Sequence, residues 1–409
     1  MALPKLLVIA FRDLGRNRRR SALTALAVAL GLALLIVLNG YIAGVVEDAL
    51  QNSIRLRTGH VQIRAEQYQE ERLSLKHEDL IQDPEALVAR AAGMSQVRAA
   101  TPVLWASGMV NTIDESAGVR IYGIDADSPI FEPIREAMVA GEYLPPDERN
   151  GILMGRRLAD SLGVGVGRNV ILATASADGQ PQEGTFTIVG LFSTGIVTTD
   201  EGSIYLPLSK AQAVTGTEGL ASAILVMLDD QDEADVVAAA LQSPGTRVLT
   251  WRDLNQVVLQ TMDTAMGFYV LFDAIVILVV AVIIANTLLM AVFERIREVG
   301  ILAALGMKKR QIRVMFLLEA LILGMTGIVA GIVLGSAGVA YLSRVGIYIG
   351  EGIASTAGSF SLGTTLHARF VPGSIASLSF WTLLIVLLAS LYPAGFAARL
   401  QPVEALHSP

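Results

Sequence analysis

The chain has 409 residues, 53% of them hydrophobic and 17% charged, with a mean hydropathy of +0.54 and a formal net charge of −7. Soluble domains carry about a quarter charged residues, so this composition predicts a membrane protein. Cysteine is absent, which excludes disulfides, thiolate metal sites, cysteine nucleophiles and lipidation at an N-terminal cysteine.

Residues 1–20 hold six Lys and Arg, with Leu6, Leu7, Phe11 and Leu14 at roughly helical spacing. They read as a cytoplasmic amphipathic segment on the membrane surface; a plain basic flank is the alternative. Residues 21–46 are uncharged. At about 1.5 Å per residue they exceed a hydrocarbon core of about 30 Å, which predicts a retained first transmembrane helix. The basic flank places the N-terminus in the cytoplasm and the chain from Glu47 onward outside.

Residues 47–265 read as an extracytoplasmic α+β domain of two subdomains with stalk-like ends. They carry 16 Lys and Arg against 31 Asp and Glu, a net −15, while the rest of the chain is +8. An acidic block of this kind argues against a nucleic-acid partner. Strand-like alternation marks Val61 to Ile63, Val119 to Tyr122 and Thr185 to Val189. Helical pattern marks Pro84 to Ala92, with Asp83 as N-cap, Leu158 to Leu162, and Asp232 to Leu241. The two subdomains are expected to join near Phe131 to Pro146. A helix running from Arg252 to Phe293 would be about 60 Å long, so its first part should stand outside the bilayer as a stalk.

Residues 266–293 form the second predicted span and 314–343 the third, joined by the basic segment 294–313. That segment has helical character and suits a short helix on the membrane surface, exposed to a cytoplasmic partner. Gly306 suits a left-handed helix end, and Gly300 would allow close approach to a partner. A short external loop, 344–369, precedes a fourth span, 370–398, and a cytoplasmic tail, 399–409. The fold class expected is therefore membrane α-helical, with four transmembrane helices and a large external domain between the first two.

No lysine follows a glycine, so the phosphate-binding loop of a nucleotide hydrolase is missing. Gly163-x-Gly165-x-Gly167 lies outside the membrane without a βαβ context and reads as a turn. Asp273 falls near the outer edge of the second span, where a wet structural role competes with a functional one. Glu319 lies about 9 Å into the third span, counted from Arg313. There it either satisfies the loop backbone or a basic residue, or stands protonated near headgroups. Gly327, Gly331 and Gly335 make one smooth face, suited to packing within one subunit or to a sliding contact. Pro393 removes a backbone donor from the fourth span. No catalytic constellation or metal spacing stands out.

Three motifs belong together: Arg297 to Gly300 (Arg-Glu-Val-Gly), Ala304 to Met307 (Ala-Leu-Gly-Met) and Phe316 to Ala320 (Phe-Leu-Leu-Glu-Ala). With Arg16 to Ser21, and Tyr392 to Ala394 followed by Ala398, Arg399, Pro402 and Glu404 to Leu406, the chain resembles the MacB/FtsX-type permeases, the type VII ABC transporters. Gly151 to Gly155, Ala159, Leu162 to Val164 and Val189 to Phe192 resemble that family's extracytoplasmic core. The resemblance implies a bacterial inner-membrane permease subunit with both termini cytoplasmic, no enzyme by itself and without a cofactor. ATP-Mg would be bound by a separate ABC ATPase, present in two copies beneath a homo- or heterodimer of permeases. Arg295, Arg297, Glu298, Gly300, Gly306 and Met307 would couple to that ATPase, supported by Glu319. The work done outside would be lipoprotein release, which fits best, or export of a substrate from the outer leaflet or periplasm. Membrane lipid and a lipoprotein, carrier or periplasmic adaptor would be further partners. The alternative is an ABC-driven regulator of an envelope enzyme such as a cell-wall hydrolase. A membrane-anchored enzyme acting in the external domain is a third reading, and the missing constellation counts against it.

Overall fold

The computed structural model describes residues 3–16, 18–144, 150–356 and 360–399. Pro402 and Glu404 to Leu406, part of the C-terminal motif, and most of the tail lie outside them.

In chain order, helix α1 (Leu3–Arg16) precedes α2 (Arg18–Ser53), which ends in a π-helical turn, Ile54–Thr58. Then come β1 (Val61–Ala65), α3 (Pro84–Ala92), β2 (Val97–Asn111), β3 (Ser116–Ile124), α4 (Glu132–Glu136), β4 (Met138–Gly141), β5 (Gly151–Gly155) and α5 (Arg156–Ser161). Beyond them lie β6 (Asn169–Ala175), β7 (Pro181–Phe192), α6 (Val197–Gly202), β8 (Ser203–Pro207), α7 (Leu208–Thr215), β9 (Ala223–Leu228), α8 (Ala234–Leu241), β10 (Thr246–Thr250) and α9 (Trp251–Leu254). The chain closes with α10 (Gln256–Glu294), α11 (Ile296–Ala304), α12 (Lys309–Val345), β11 (Ile347–Tyr348), α13 (Glu351–Thr356), β12 (Thr365–Leu366) and α14 (Pro372–Ala397).

Two compact units result. One comprises Met1–Val46, Met262–Ile347 and His367–Pro409; the other comprises Glu47–Thr261 and Tyr348–Leu366. Among the described residues four helices are long and apolar enough to cross a membrane: α2 with its π turn, α10, α12 and α14. They share a core of Val28, Leu32 and Ile36 from α2, Ile284 and Leu288 from α10, Leu323 and Ile328 from α12, and Val386 from α14. The glycine face of α12 packs on α2 within this one chain. A Cβ on Gly327 would lie 2.6 Å from Val28 Cβ, one on Gly331 2.9 Å from the Ala29 carbonyl, and one on Gly335 2.8 Å from Ile36 Cβ. Asp273 accepts from Asn39 Nδ2 at 3.2 and 3.3 Å, which ties α10 to α2.

The second unit is built on a ten-stranded sheet ordered β10-β1-β9-β2-β3-β8-β5-β7-β4, with β6 pairing β2 and β7. Pairing is antiparallel except for β3 with β8 and β5 with β7. Two hydrophobic cores lie on it. Ile63, Val226, Val237 and Trp251 belong to the smaller, and Leu104, Ile121, Leu153 and Phe186 to the larger. The sheet is continuous through both, because β2 is long enough to pair β9 at its start and β6 at its end. Strand β2 thus links the two cores; of the junction expected near Phe131 to Pro146, Pro145 and Pro146 lie outside the described residues. Asp83 caps α3, its carboxylate accepting from Ala86 N–H at 3.2 Å. Gly163 and Gly167 take positive φ in the turn between α5 and β6.

Two expectations are corrected. The helix expected from about Arg252 to Phe293 is interrupted at one residue, Asn255, and runs on as α10 from Gln256 to Glu294. A Thr250–Asp253 capping box starts α9 separately, and the Asn255 side chain bonds the Trp251 carbonyl at 2.8 Å and Ser53 Oγ at 2.7 Å. The segment expected as a plain loop at 344–369 is also partly structured. Its Tyr348–Leu366 portion belongs to the second unit, where Glu351 pairs with Arg157 at 2.6 Å and Ser361 O accepts from Asn52 at 2.9 Å.

Candidate functional site

At one end of the membrane unit the polypeptide turns from α10 through α11 into α12. The helix breaks at Arg295, whose φ of −118° lies outside the helical range. It resumes as α11 and stops again at Gly306. There φ is +93°, Gly306 N–H bonds Ala303 O and Met307 N–H bonds Leu302 O, each at 3.0 Å. This is the double hydrogen bond of a Schellman ending, which only a left-handed residue permits and which glycine adopts without strain. Lys308 then opens α12, with Gln311 Oε1 accepting its N–H at 2.9 Å.

Periodicity divides α11 into two faces. Val299 and Gly300 are buried, and Val299, Ala303 and Met307 pack on a cluster with Val292, Ile312, Phe316 and Ala394. Ile9 of α1 joins the same cluster. Arg297, Ile301 and Leu305 recur every four residues on the opposite side. All three are exposed, Ile301 by 44% and Leu305 by 80%.

Ion pairs fix this helix from within. Arg295 is 6% exposed. Its guanidinium lies 3.1 Å from Asp13 Oδ2 and 3.9 Å from Glu319 Oε1, and also donates to the Asp13 backbone carbonyl at 3.0 Å. Glu319 itself is 2% exposed. Burial pushes the Asp13 carboxyl above the ordinary carboxylate value, against the pull of Arg295. On the outside, Arg16 pairs with Glu298 at 2.7 Å and Arg20 with Glu294 at 2.5 Å.

The residues assigned to coupling thus separate. Arg297, Glu298 and Gly306 are exposed. Arg295 and Gly300 are buried, Arg295 against Asp13 of α1 and Glu319 of α12. Met307 is half-buried and closes the inner face. Sequence reasoning missed Asp13, Ile301 and Leu305. Asp13 was findable, as the one acidic residue in a 20-residue basic segment. Among the described residues no three metal-ligating side chains converge.

These features define a four-span membrane protein with an α+β domain between its first two spans and a rigidly held helix at its basic edge. The model of the MacB-like periplasmic core domain matches residues 21–243, and that of the FtsX-like permease C-terminal matches residues 270–402. The chain belongs to this family of ABC transporter permeases. It is 25% identical over 336 residues to the lipoprotein-releasing system transmembrane protein LolC of Neisseria meningitidis, covering 76% of this chain and 78% of that one. It is 26% identical over 427 residues to the macrolide export ATP-binding/permease protein MacB of Hyphomonas neptunium, covering 98% of this chain and 60% of that one. It is 29% identical over 242 residues to the uncharacterized ABC transporter permease YknZ of Bacillus subtilis, spanning 55% of that protein. The crystal structure of the periplasmic region of MacB from Actinobacillus actinomycetemcomitans overlays with a TM-score of 0.35 at 15% identity, over 52% of this chain and 97% of that one.

Proposed function

We propose that this chain is the membrane half of a bacterial inner-membrane machine, with a separate ABC ATPase binding ATP-Mg and supplying the energy. Two ATPase copies would serve a dimer of permeases, and both chain termini would be cytoplasmic. The observation that carries this reading is the two-faced α11. Its inner face is locked to α1 and α12 by Arg295, while Arg297, Ile301 and Leu305 stand exposed on the other. Exposed apolar side chains flanked by charge suit a protein groove, and a helix pinned at its root passes force to the helices beside it. Both α2 and α10 begin in one unit and end in the other, so the path to the external domain is covalent.

For the external work, lipoprotein release from the outer leaflet is the reading we adopt ahead of export. The 25% identity over 336 residues to a lipoprotein-releasing system transmembrane protein supports it.

The test uses Ile301→Glu with Leu305→Glu, because both side chains are exposed while Gly300 is buried. Full-length wild type and variant, matched in expression, are assayed for ATPase co-purification and for hydrolysis by the captured complex. The variant is expected to lose most of both while melting at the wild-type temperature. Unchanged capture and hydrolysis would remove α11 from the coupling path. Depletion of the chain should leave lipoproteins in the inner membrane; normal release, or capture of a cell-wall hydrolase instead, would favour the regulator.

A further inference from the structure

We propose that the elbow between α1 and α2 binds an anionic phospholipid of the surrounding membrane. Five arginines crowd this elbow: Arg12, Arg16, Arg18, Arg19 and Arg20. Arg16 and Arg20 are neutralised by Glu298 and Glu294. Arg12, Arg18 and Arg19 are exposed and make no ion pair within 4.0 Å among the described residues. Arg18 is oriented in advance, because its Nε donates to the Gly15 carbonyl at 3.1 Å and leaves the rest of the guanidinium free for an anion. Two adjoining grooves meet here, sharing Gly15, Arg16 and Arg18 in their walls.

The apolar surroundings select the anion. Arg19, Leu23, Leu26, Leu30 and Leu34 succeed one another at helical spacing along one face of α2. The four leucines are 67, 48, 55 and 52% exposed. On α1, Val8 and Phe11 stand 63 and 69% exposed beside Arg12. A guanidinium at the head of an exposed apolar strip matches a phosphodiester with acyl chains beneath it, which a free phosphate does not use. Charge selects the headgroup. Asp13, Glu294 and Glu298 are each already paired, so among the described residues around this cluster no spare carboxylate waits for the ammonium of a zwitterionic lipid. Phosphate binding by arginine is charge-assisted and directional, and basic clusters at membrane edges attract anionic lipid for the same reason.

Native mass spectrometry of the full-length protein in detergent, with equimolar phosphatidylglycerol and phosphatidylcholine, tests the proposal. Wild type should retain phosphatidylglycerol over phosphatidylcholine by at least about tenfold, and R12Q/R18Q/R19Q should lose that preference. The control K309Q/R310Q/R313Q, equally reduced in charge but with the elbow intact, should keep it. Equal retention of the two lipids by wild type overturns the proposal, as does an unchanged preference in the elbow variant or an equal loss in the control. Displacement of the lipid by soluble glycerol phosphate at low millimolar concentration would mean a phosphate site independent of the membrane, and also overturns it. Should the triple variant not fold, R19Q alone must still reduce the preference by roughly threefold or more; wild-type behaviour there counts against the proposal.

Discussion

Arg295 connects three helices through one guanidinium. It leaves the end of α10, takes the Asp13 carboxylate and carbonyl of α1, and faces Glu319 of α12. Both members of the Arg295–Glu319 pair are buried; Arg295 also has Asp13, whereas Arg295 is the one ion-pair partner of Glu319 within 4.0 Å among the described residues. Arg295→Ala should cost about 3–5 kcal/mol, because it strands a carboxylate in the packed interior. Adding Glu319→Leu should recover most of that loss, since an apolar side chain of similar size needs no counter-charge. Arg297→Ala, exposed two residues away, should change stability by no more than about 0.5 kcal/mol. Thermal unfolding of the detergent-solubilised chain, followed by tryptophan fluorescence, separates these outcomes. If Arg295→Ala melts with Arg297→Ala, the pair does not hold the helix root.

Packing of α12 on α2 is a matter of backbone proximity. Gly331→Ala would put a methyl 2.9 Å from the Ala29 carbonyl and 3.2 Å from its Cα, both backbone atoms that move only with the helix. Overpacking of this kind costs about 1–3 kcal/mol, and more for a larger side chain. Gly395→Ala in α14, with nothing within 4 Å of the added methyl, should be neutral or stabilising by up to about 1 kcal/mol. Equal melting temperatures for the two variants would contradict close packing at Gly331. The glycine spacing was legible in the sequence because a four-residue repeat is local; the helix it meets was not. The same limit governs the rest. Alternation exposed the strands around Ile63, Ile121 and Ile188, and Gly306 announced its own φ. The inward turn of Arg295 depends on Asp13, 282 positions away, and no local pattern carries that pairing. Asn255 interrupts for one residue a helix that apolar periodicity reads as continuous, because its side chain competes for backbone carbonyls.

At the scale of the whole molecule, charge orients what hydropathy only inserts. Arg12, Arg16 and Arg18 to Arg20 flank the first span, while Arg295, Arg297, Lys308 to Arg310 and Arg313 lie between the second and third. The opposite ends of the third and fourth spans carry only Arg344 and Arg369. Ile9, Val292, Val299, Phe316 and Ala397 share one cluster, so α1, α11 and the adjoining ends of α10, α12 and α14 gather at a single edge. The two larger basic groups therefore sit on that one edge, and the positive-inside rule predicts that it faces the cytoplasm. The chain has no cysteine, so one introduced thiol is the only one to react. Gln180 and Lys309 are both exposed and lie on opposite sides by this assignment. In intact spheroplasts a membrane-impermeant maleimide should label Gln180→Cys at once and Lys309→Cys only after permeabilisation. Labelling of Lys309→Cys in the intact cells, with Gln180→Cys protected, would invert the molecule and place α11 beyond the reach of any cytoplasmic ATPase.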